Sequence, residues 1–299
     1  MSLVNMKIIN TIKRNKFAYL LILPTLLFMG FSQVYPIFET VRLSLTNTHL
    51  VRRSSDFIGI QNYITLLFED VHFWSILRNS ILFVFAPIFT QFLVAVPAAL
   101  VLNQRIIFRG LWRGLIMVPW VMPVVIVGLM LKWILDSNYG LVNYYLRVIG
   151  IITKNINWFG DQKLVYLTII LASTWKGFAY PTVMILAGLK GISVELYESA
   201  KIDGASGIQN FFYITLPMLR PILLVSGVVT LITGWTKFEM IYVLTSGGPG
   251  FATMTLPIYM YINSFGSFRL GLGAAIAAIS TTIVMLLAFF YWKYLMSKD

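Results

Sequence analysis

The sequence contains no cysteine, and only 2 of its 299 residues are histidine. The absence of cysteine excludes a disulfide framework, a thiolate metal site and a covalently attached haem, and it leaves the redox compartment open. His49 and His72 do not fit the ligand spacing of zinc sites, so we expect no metal site. Charged residues make up only 11% of the chain. So low a share argues against a soluble globular protein.

Apolar residues are abundant instead. They account for 58% of the chain, and the mean hydropathy is +0.80. The formal net charge is +12, but the basic residues are scattered between apolar runs and form no continuous stripe. We therefore expect no nucleic-acid partner. Lysines and arginines in the loops of a membrane protein, where they set its orientation, explain the charge better.

Six apolar runs are each about as long as the 20 residues that a helix needs to cross a bilayer. They cover residues 17–38, 80–102, 115–135, 165–189, 218–244 and 272–294. The first run is too long for the core of a signal peptide and lacks a cleavage site, so we interpret it as a retained span. Basic residues are denser in the segments predicted to lie inside, which favours cytoplasmic termini. The pattern predicts one all-α transmembrane domain over residues 1–299, embedded in the lipid bilayer.

The third run contains Pro119 and Pro123. Prolines are tolerated in a membrane helix when neighbouring groups satisfy the freed carbonyls, so we expect this span to be buried in the bundle.

One polar stretch, residues 193–217, separates the fourth and fifth runs. Ser193 is a candidate N-cap, and Glu195 suits the positive end of a helix. Gly204 interrupts the helical pattern. The stretch predicts two short helices joined at a glycine outside the hydrocarbon, with the chain entering the fifth span at Pro217. An ordinary cytoplasmic loop would carry the same caps.

Motifs for nucleotide hydrolysis and proteolysis are missing. The chain has no G-x-x-x-x-G-K-[ST], no H-E-x-x-H and no G-x-S-x-G, and the glycines at 247–250 lack the lysine and hydroxyl of a phosphate loop. We therefore expect no enzymatic activity and no cofactor bound by this chain. If ATP drives it, the ATPase is another polypeptide.

Lys176, Lys237 and Glu239 fall within the predicted spans, where charges are unfavourable unless they face protein or water. Helical spacing places polar and aromatic residues beside them on two stripes. The resulting candidates for a solute path are Ser173, Trp175, Lys176, Gly177, Tyr180, Trp235, Lys237, Phe238, Glu239 and Tyr242. Aromatic faces with polar groups suit a sugar. A structural ion pair between Lys176 and Glu239, with the aromatics packing, explains the pattern equally well.

The polar stretch resembles the EAA signature of ABC importer permeases. The resemblance rests on Glu198-Ser199-Ala200, Asp203-Gly204-Ala205 and Ile214-Thr215-Leu216-Pro217, with Ser199 in place of the first alanine. Similar motifs elsewhere extend it over nearly the whole chain, namely Gly59, Asn62-Tyr63, Arg109–Arg113, Pro119-Trp120, Pro123, Trp175 and Gly247-Gly248-Pro249. The carbohydrate-type subgroup, the maltose and glycerol-3-phosphate permease relatives, is the most similar.

The resemblance implies the type I ABC importer permease fold, with six spans and a cytoplasmic coupling-helix loop. It implies that the coupling residues are Glu198, Ser199, Ala200, Asp203, Gly204, Ala205, Ile214, Leu216 and Pro217. The expected partners are a second permease subunit, two ATPase subunits that hold ATP and Mg²⁺, and an extracytoplasmic solute-binding protein. The expected location is the bacterial inner membrane, and the expected solute is a sugar or oligosaccharide, neutral or anionic.

Two other functions stay open at this point. An ion-coupled secondary transporter would need a carboxylate relay in its spans, for which Glu239 alone is a thin candidate. A non-transporting membrane scaffold would explain the spans but not the EAA-like loop. Uptake that depends on separate ATPase subunits would distinguish the permease from both.

Overall fold

The computed structural model describes residues 16–52 and 55–296, and in these ranges the regular elements are helices. Two isolated β-bridges, Thr46 to Phe57 and His49 to Arg269, join loops at one end of the molecule. The basic N-terminal segment expected to lie inside falls mostly outside the described residues, as does the end of the chain. The fold of the described residues is therefore all-α, as the pattern of apolar runs predicted.

We number the helices in chain order. They are α1 (Lys16–Ser44), α2 (Gln61–Ile64, continued by a π-helical turn Thr65–Glu69), α3 (Phe73–Asn103), α4 (Arg109–Val121), α5 (Val124–Ile134), α6 (Leu141–Val148), α7 (Gln162–Gly177), α8 (Ala179–Gly191), α9 (Val194–Ile202), α10 (Gly207–Trp235), α11 (Glu239–Thr245), α12 (Leu256–Tyr261, continued by a π-helical turn Ile262–Gly266) and α13 (Leu270–Met296).

Four helices are long and apolar enough to cross a membrane, namely α1, α3, α10 and α13. Two bent pairs, α4 with α5 and α7 with α8, raise the count to six if each pair is one span. The helices overlap all six predicted runs, but they extend beyond them. For example, α3 starts at Phe73 rather than at residue 80.

The third predicted run, 115–135, is two helices that meet at 93°. Met122, at the break, has an extended backbone with φ −59° and ψ 138°. Proline disfavours the helical conformation of the residue before it, so Pro123 accounts for the break. The expected burial is only partial in this chain, because Pro119 and Val127 are buried whereas Val121 is 71% exposed and Leu129 is 56% exposed. A lipid or protein partner must cover this face.

The fifth run differs at both ends. Helix α10 begins at Gly207, inside the polar stretch, and passes through a π-helical turn, Phe211–Thr215, before continuing at Leu216. It ends at Trp235, and residues 239–245 form the separate helix α11. The second short helix predicted for the polar stretch is therefore the first part of a span. Pro217 lies in the first turn of the regular α-helical part, Leu216–Trp235, as predicted, but helical structure already begins at Gly207.

Helix α3 carries the core, since it packs against α7, α8 and α10. One apolar cluster surrounds its first half around Phe73 and Ile76, and a second surrounds its last turns around Ala95 and Ala99. Close approach holds the second cluster together. A Cβ on Gly188 of α8 would lie 2.5 Å from the Ile222 side chain of α10. Small residues permit such contacts in a membrane, where packing rather than water exclusion holds helices together.

Candidate coupling loop and solute path

Helix α9 is the centre of the polar stretch, and its first turn is capped as the sequence predicted. The Ser193 hydroxyl accepts a hydrogen bond from the Glu195 amide at 3.3 Å. Ile192, just before the cap, is buried. Glu195 lies in the first turn and Lys201 in the last, where both charges favour the helix dipole. The helix is thus stabilised by its own ends.

The turn after α9 is a Schellman motif. The Gly204 amide donates to the Lys201 carbonyl at 3.2 Å, and the Ala205 amide donates to the Ala200 carbonyl at 2.9 Å. Gly204 has φ +79°, which glycine adopts without strain. The Asp-Gly-Ala sequence therefore closes α9 and reverses the chain.

Helix α10 then starts with a capping box. The Gln209 amide donates to the Ser206 hydroxyl at 3.3 Å, and the Ser206 amide donates to the Gln209 side chain at 2.7 Å. The hydroxyls of Tyr197 and Thr215 are hydrogen-bonded at 2.9 Å, which ties α9 to the π-helical turn of α10. The loop and the span therefore form one connected unit.

The predicted coupling residues divide into two groups by position. Glu198, Ser199, Asp203 and Gly204 are exposed at the tip, and Ala200 and Ala205 are half-buried beside them. Ile214 and Leu216 are half-buried on α10, whereas Pro217 is exposed. The buried residues that join the loop to the bundle are Thr215 and Leu219.

Large apolar side chains in and just after the tip are also exposed in the part of the chain that the structure describes. Ile202 is 87% exposed, Ile208 is 74% exposed and Tyr213 is 80% exposed. The interpretation of the sequence did not single them out. The sequence does distinguish them, because they are apolar residues inside an otherwise polar stretch. Side chains of this kind at a protein surface mark a contact site.

Three of the residues predicted for a solute path make packing contacts within the bundle. The Ser173 carbonyl accepts a hydrogen bond from Gln91 of α3 at 2.9 Å, and the Ser173 side chain is buried. Gly177 lies against the same glutamine. Trp235 is 4% exposed and donates from Nε1 to the Ser280 hydroxyl of α13 at 2.8 Å. Trp175 is partly exposed and Tyr180 is half-buried.

Lys176 caps the broken span. Its Nζ donates to the Trp120 carbonyl in the last turn of α4 at 2.8 Å. A cation and a donor both suit the end of a helix, where carbonyls lack partners. The alternative ion pair with Glu239 does not form, since Glu39 with Arg42 is the sole ion pair in the described ranges. Glu239 is exposed at the start of α11, and Lys237 is half-buried in the preceding bend.

An aromatic cluster lies where α10 ends. Phe238 stacks on Tyr242 at 4.7 Å between ring centroids, and Tyr261 of α12 contacts both rings. A cavity of 350 Å³ lies beside Phe238 and Tyr261. Its walls also include Trp235, Thr236, Met260 and Thr281. The single helical stripe expected from Trp235 to Tyr242 is wrong, because the chain bends after Trp235. The break nevertheless opens the cavity.

Comparison with known proteins identifies the family. A family model described as "Binding-protein-dependent transport system inner membrane component" matches residues 91–298. The trehalose/maltose transport system permease protein MalF of Thermococcus litoralis is 32% identical over 278 residues, which cover 93% of each chain. The lactose transport system permease protein LacF of Rhizobium radiobacter is 31% identical over 274 residues, which cover 90% of each chain.

A solved structure shares the fold. A chain of a bacterial ABC transporter involved in the import of the acidic polysaccharide alginate superimposes with a TM-score of 0.84. The match covers 98% of this chain and 99% of that one, at 21% sequence identity. The chain belongs to the binding-protein-dependent transport family and is an integral membrane permease subunit of an ABC importer.

Proposed function

We propose that this chain forms part of the translocation path for a sugar or oligosaccharide and that α10 transmits movement from its loop to that path. The observation that carries the proposal is the continuity of α10. This helix starts in the exposed loop at Gly207 and ends at Trp235, at the wall of the aromatic cavity. Its 29 residues span about 44 Å. A displacement of the loop therefore reaches the cavity through one rigid element.

The proposed partner of the loop is an ATPase subunit. The tip presents the carboxylates of Glu198 and Asp203 beside the exposed Ile202. A protein interface typically combines an apolar centre, here Ile202, with a polar rim, here the two carboxylates. We place ATP and Mg²⁺ on two such ATPase subunits in the cytoplasm, with the termini of this chain on the same side of a bacterial inner membrane.

The proposed assembly also contains a second permease subunit and an extracytoplasmic solute-binding protein. The exposed apolar face of α4 and α5 supports the second permease. In one structure of the alginate transporter, whose matching chain superimposes with a TM-score of 0.80, a periplasmic protein holding an alginate pentasaccharide is part of the complex. By analogy, we expect a solute-binding protein to deliver the solute to the end of the bundle opposite the loop.

The aromatic cavity supports a sugar as the solute. Rings stack on the apolar face of a sugar, while neighbouring hydroxyls such as Thr236 and Thr281 can hydrogen-bond its hydroxyls. The relatives are named for trehalose/maltose and lactose, and another for sulfoquinovosyl glycerol. Lys237 close to Lys176 would favour an anionic group. A neutral and an anionic sugar are therefore both to be tested.

The experiment is to isolate the tagged chain from native membranes, identify its partners by mass spectrometry, and reconstitute the complex in proteoliposomes. We expect an ATPase, a second permease and a solute-binding protein to be isolated with the chain. We also expect sugar transport that requires ATP on the side of the vesicle membrane where the ATPase lies. A chain that purifies alone, with uptake driven by an ion gradient, would overturn the proposal in favour of a secondary transporter.

A further inference from the structure

Among the described residues, none is a hydrogen-bond partner for part of the Arg113 guanidinium group. Nε and Nη2 are buried, and neither makes a hydrogen bond. A buried polar group without a partner is unfavourable, and more so when it carries a charge. Arg109, one turn earlier, differs, because its Nε donates to the Leu102 carbonyl at 2.6 Å. Arg113 is therefore the arginine of this helix that remains available to an anion.

A second cation faces the same space. Arg113 and Lys190 line a cavity of 390 Å³ between α4 and α8, which we call the basic cavity. Its other walls are largely apolar and include Met117, Val183 and Leu186. No aspartate or glutamate in the described ranges forms an ion pair with either cation. Two cations near low-dielectric walls create a strong positive potential, which favours an anion.

An apolar cavity adjoins the basic one. It has a volume of 530 Å³, and we call it the apolar trough. The two cavities share Leu102 and Ile116 as a common wall. The trough is lined otherwise by Pro97, Ala98, Val101, Ile106 and Trp112, with no charged residue. A ligand that fills both cavities has to be anionic at one end and apolar at the other.

Both cavities lie at the end of the bundle that carries the coupling loop, since Lys190 precedes the Ser193 cap of α9 by less than one turn. We propose that they bind an anionic phospholipid, with its phosphodiester on Arg113 and Lys190 and one acyl chain in the apolar trough. A guanidinium group can bind two phosphate oxygens at once. Basic pockets between spanning helices are suited to such head groups.

This site is independent of the solute and of the ATPase, because it requires only that the chain is embedded in a bilayer. Free phosphate would use the two cations but leave the trough unfilled. A carboxylate from another subunit would use Arg113 but would not need the trough either. The trough therefore distinguishes a lipid from both.

The experiment is native mass spectrometry of the full chain in detergent, titrated with phosphatidylglycerol, with phosphatidylcholine of the same acyl chains, or with inorganic phosphate. Arg113→Gln with Lys190→Gln removes the head-group contacts, and Ala98→Phe fills the trough. Arg105→Gln is the matched control, because it removes an exposed charge from the turn between α3 and α4.

We expect phosphatidylglycerol to bind more tightly than phosphatidylcholine and inorganic phosphate. The double variant should lose affinity about thirtyfold, since each cation near the headgroup contributes about fivefold. Ala98→Phe should weaken lipid binding, and Arg105→Gln should leave it unchanged. Equal affinity for both lipids in the wild-type chain would overturn the proposal, whether or not the variants fold. Equal binding of inorganic phosphate, or a site filled by another subunit in the intact complex, would also overturn it.

Discussion

Lys176 illustrates how single residues are accommodated inside the apolar bundle. It was a candidate for the solute path or for an ion pair, and it donates instead to a carbonyl of α4, 56 residues away in sequence. The break at Pro123 leaves the end of α4 with unpaired carbonyls, and a lysine from α7 satisfies one of them. A charge in a span can therefore serve architecture without excluding a role in attracting the solute.

Gly204 is the residue on which the turn of the coupling loop depends. Gly204 has φ +79°, and a Cβ added there would meet no other atom within 4 Å. Gly204→Ala therefore adds backbone strain of about 1–2 kcal/mol without a clash. We expect ATP-driven uptake by the reconstituted complex to fall several-fold, with the bundle still folded. Gly207→Ala is the control, because Gly207 is helical and also has open space. Equal uptake by the two variants would contradict a role for this turn.

Tyr259 of α12 is a pH-sensitive contact at the other end of the bundle. Its hydroxyl donates to Asp70 at 2.5 Å, and burial together with this bond to Asp70 raises the pKa of Tyr259 from 10.0 to about 12. A raised pKa means that the contribution to stability is complete below the unfolded-state pKa. It is lost as pH rises from about 10 to about 12.

We therefore expect the free energy of unfolding of the wild-type chain to fall over that alkaline range more than that of Tyr259→Phe. Thermal unfolding in detergent at a series of pH values measures the difference. Tyr139→Phe, at an exposed tyrosine, is the control and should follow the wild type. Parallel pH profiles for wild type and Tyr259→Phe would show that the hydrogen bond to Asp70 does not contribute.

At the scale of elements, the bend between α4 and α5 is the feature most dependent on one residue. Pro123→Ala removes the restriction on Met122, so we expect the 93° bend to open. Since the chain has no cysteine, spin labels at Leu111→Cys and Lys132→Cys report the distance specifically. We expect the distance to lengthen in Pro123→Ala and to stay the same in Pro119→Ala, whose proline lies within α4. An unchanged distance in both would mean that packing with Lys176 sets the bend.

At the scale of the whole molecule, the loop and the aromatic cavity are at opposite ends of α10. The hydrogen bond between Tyr197 and Thr215 joins α9 to this helix. We expect Tyr197→Phe to leave the partner ATPase active but to lower the sugar transported for each ATP hydrolysed. Tyr213→Phe, at an exposed tyrosine of the same helix, removes a hydroxyl without this contact. An unchanged ratio in Tyr197→Phe would exclude transmission through this bond.

Sequence alone was sufficient for features that depend on neighbours in the chain. The Ser193 cap and the Gly204 turn were predictable because each involves residues within one or two turns of the same segment. The membrane class followed from apolar runs of spanning length. The order of the EAA-like motifs indicated the permease family, which the comparison with relatives shows.

Only the tertiary structure decided which side chains meet. Gln91 donates to the Ser173 carbonyl, Lys176 donates to the Trp120 carbonyl of α4, and Tyr261 of α12 joins the aromatic cluster. Periodicity could not predict these contacts, because it assumes an unbroken helix and carries no information on the neighbour opposite. The proline before α5 and the bend after Trp235 interrupt the helices that the periodicity assumed to be continuous. The residues on either side of each break therefore do not share one helical face. The partners of a buried polar group are set by packing across the bundle, which local sequence does not specify.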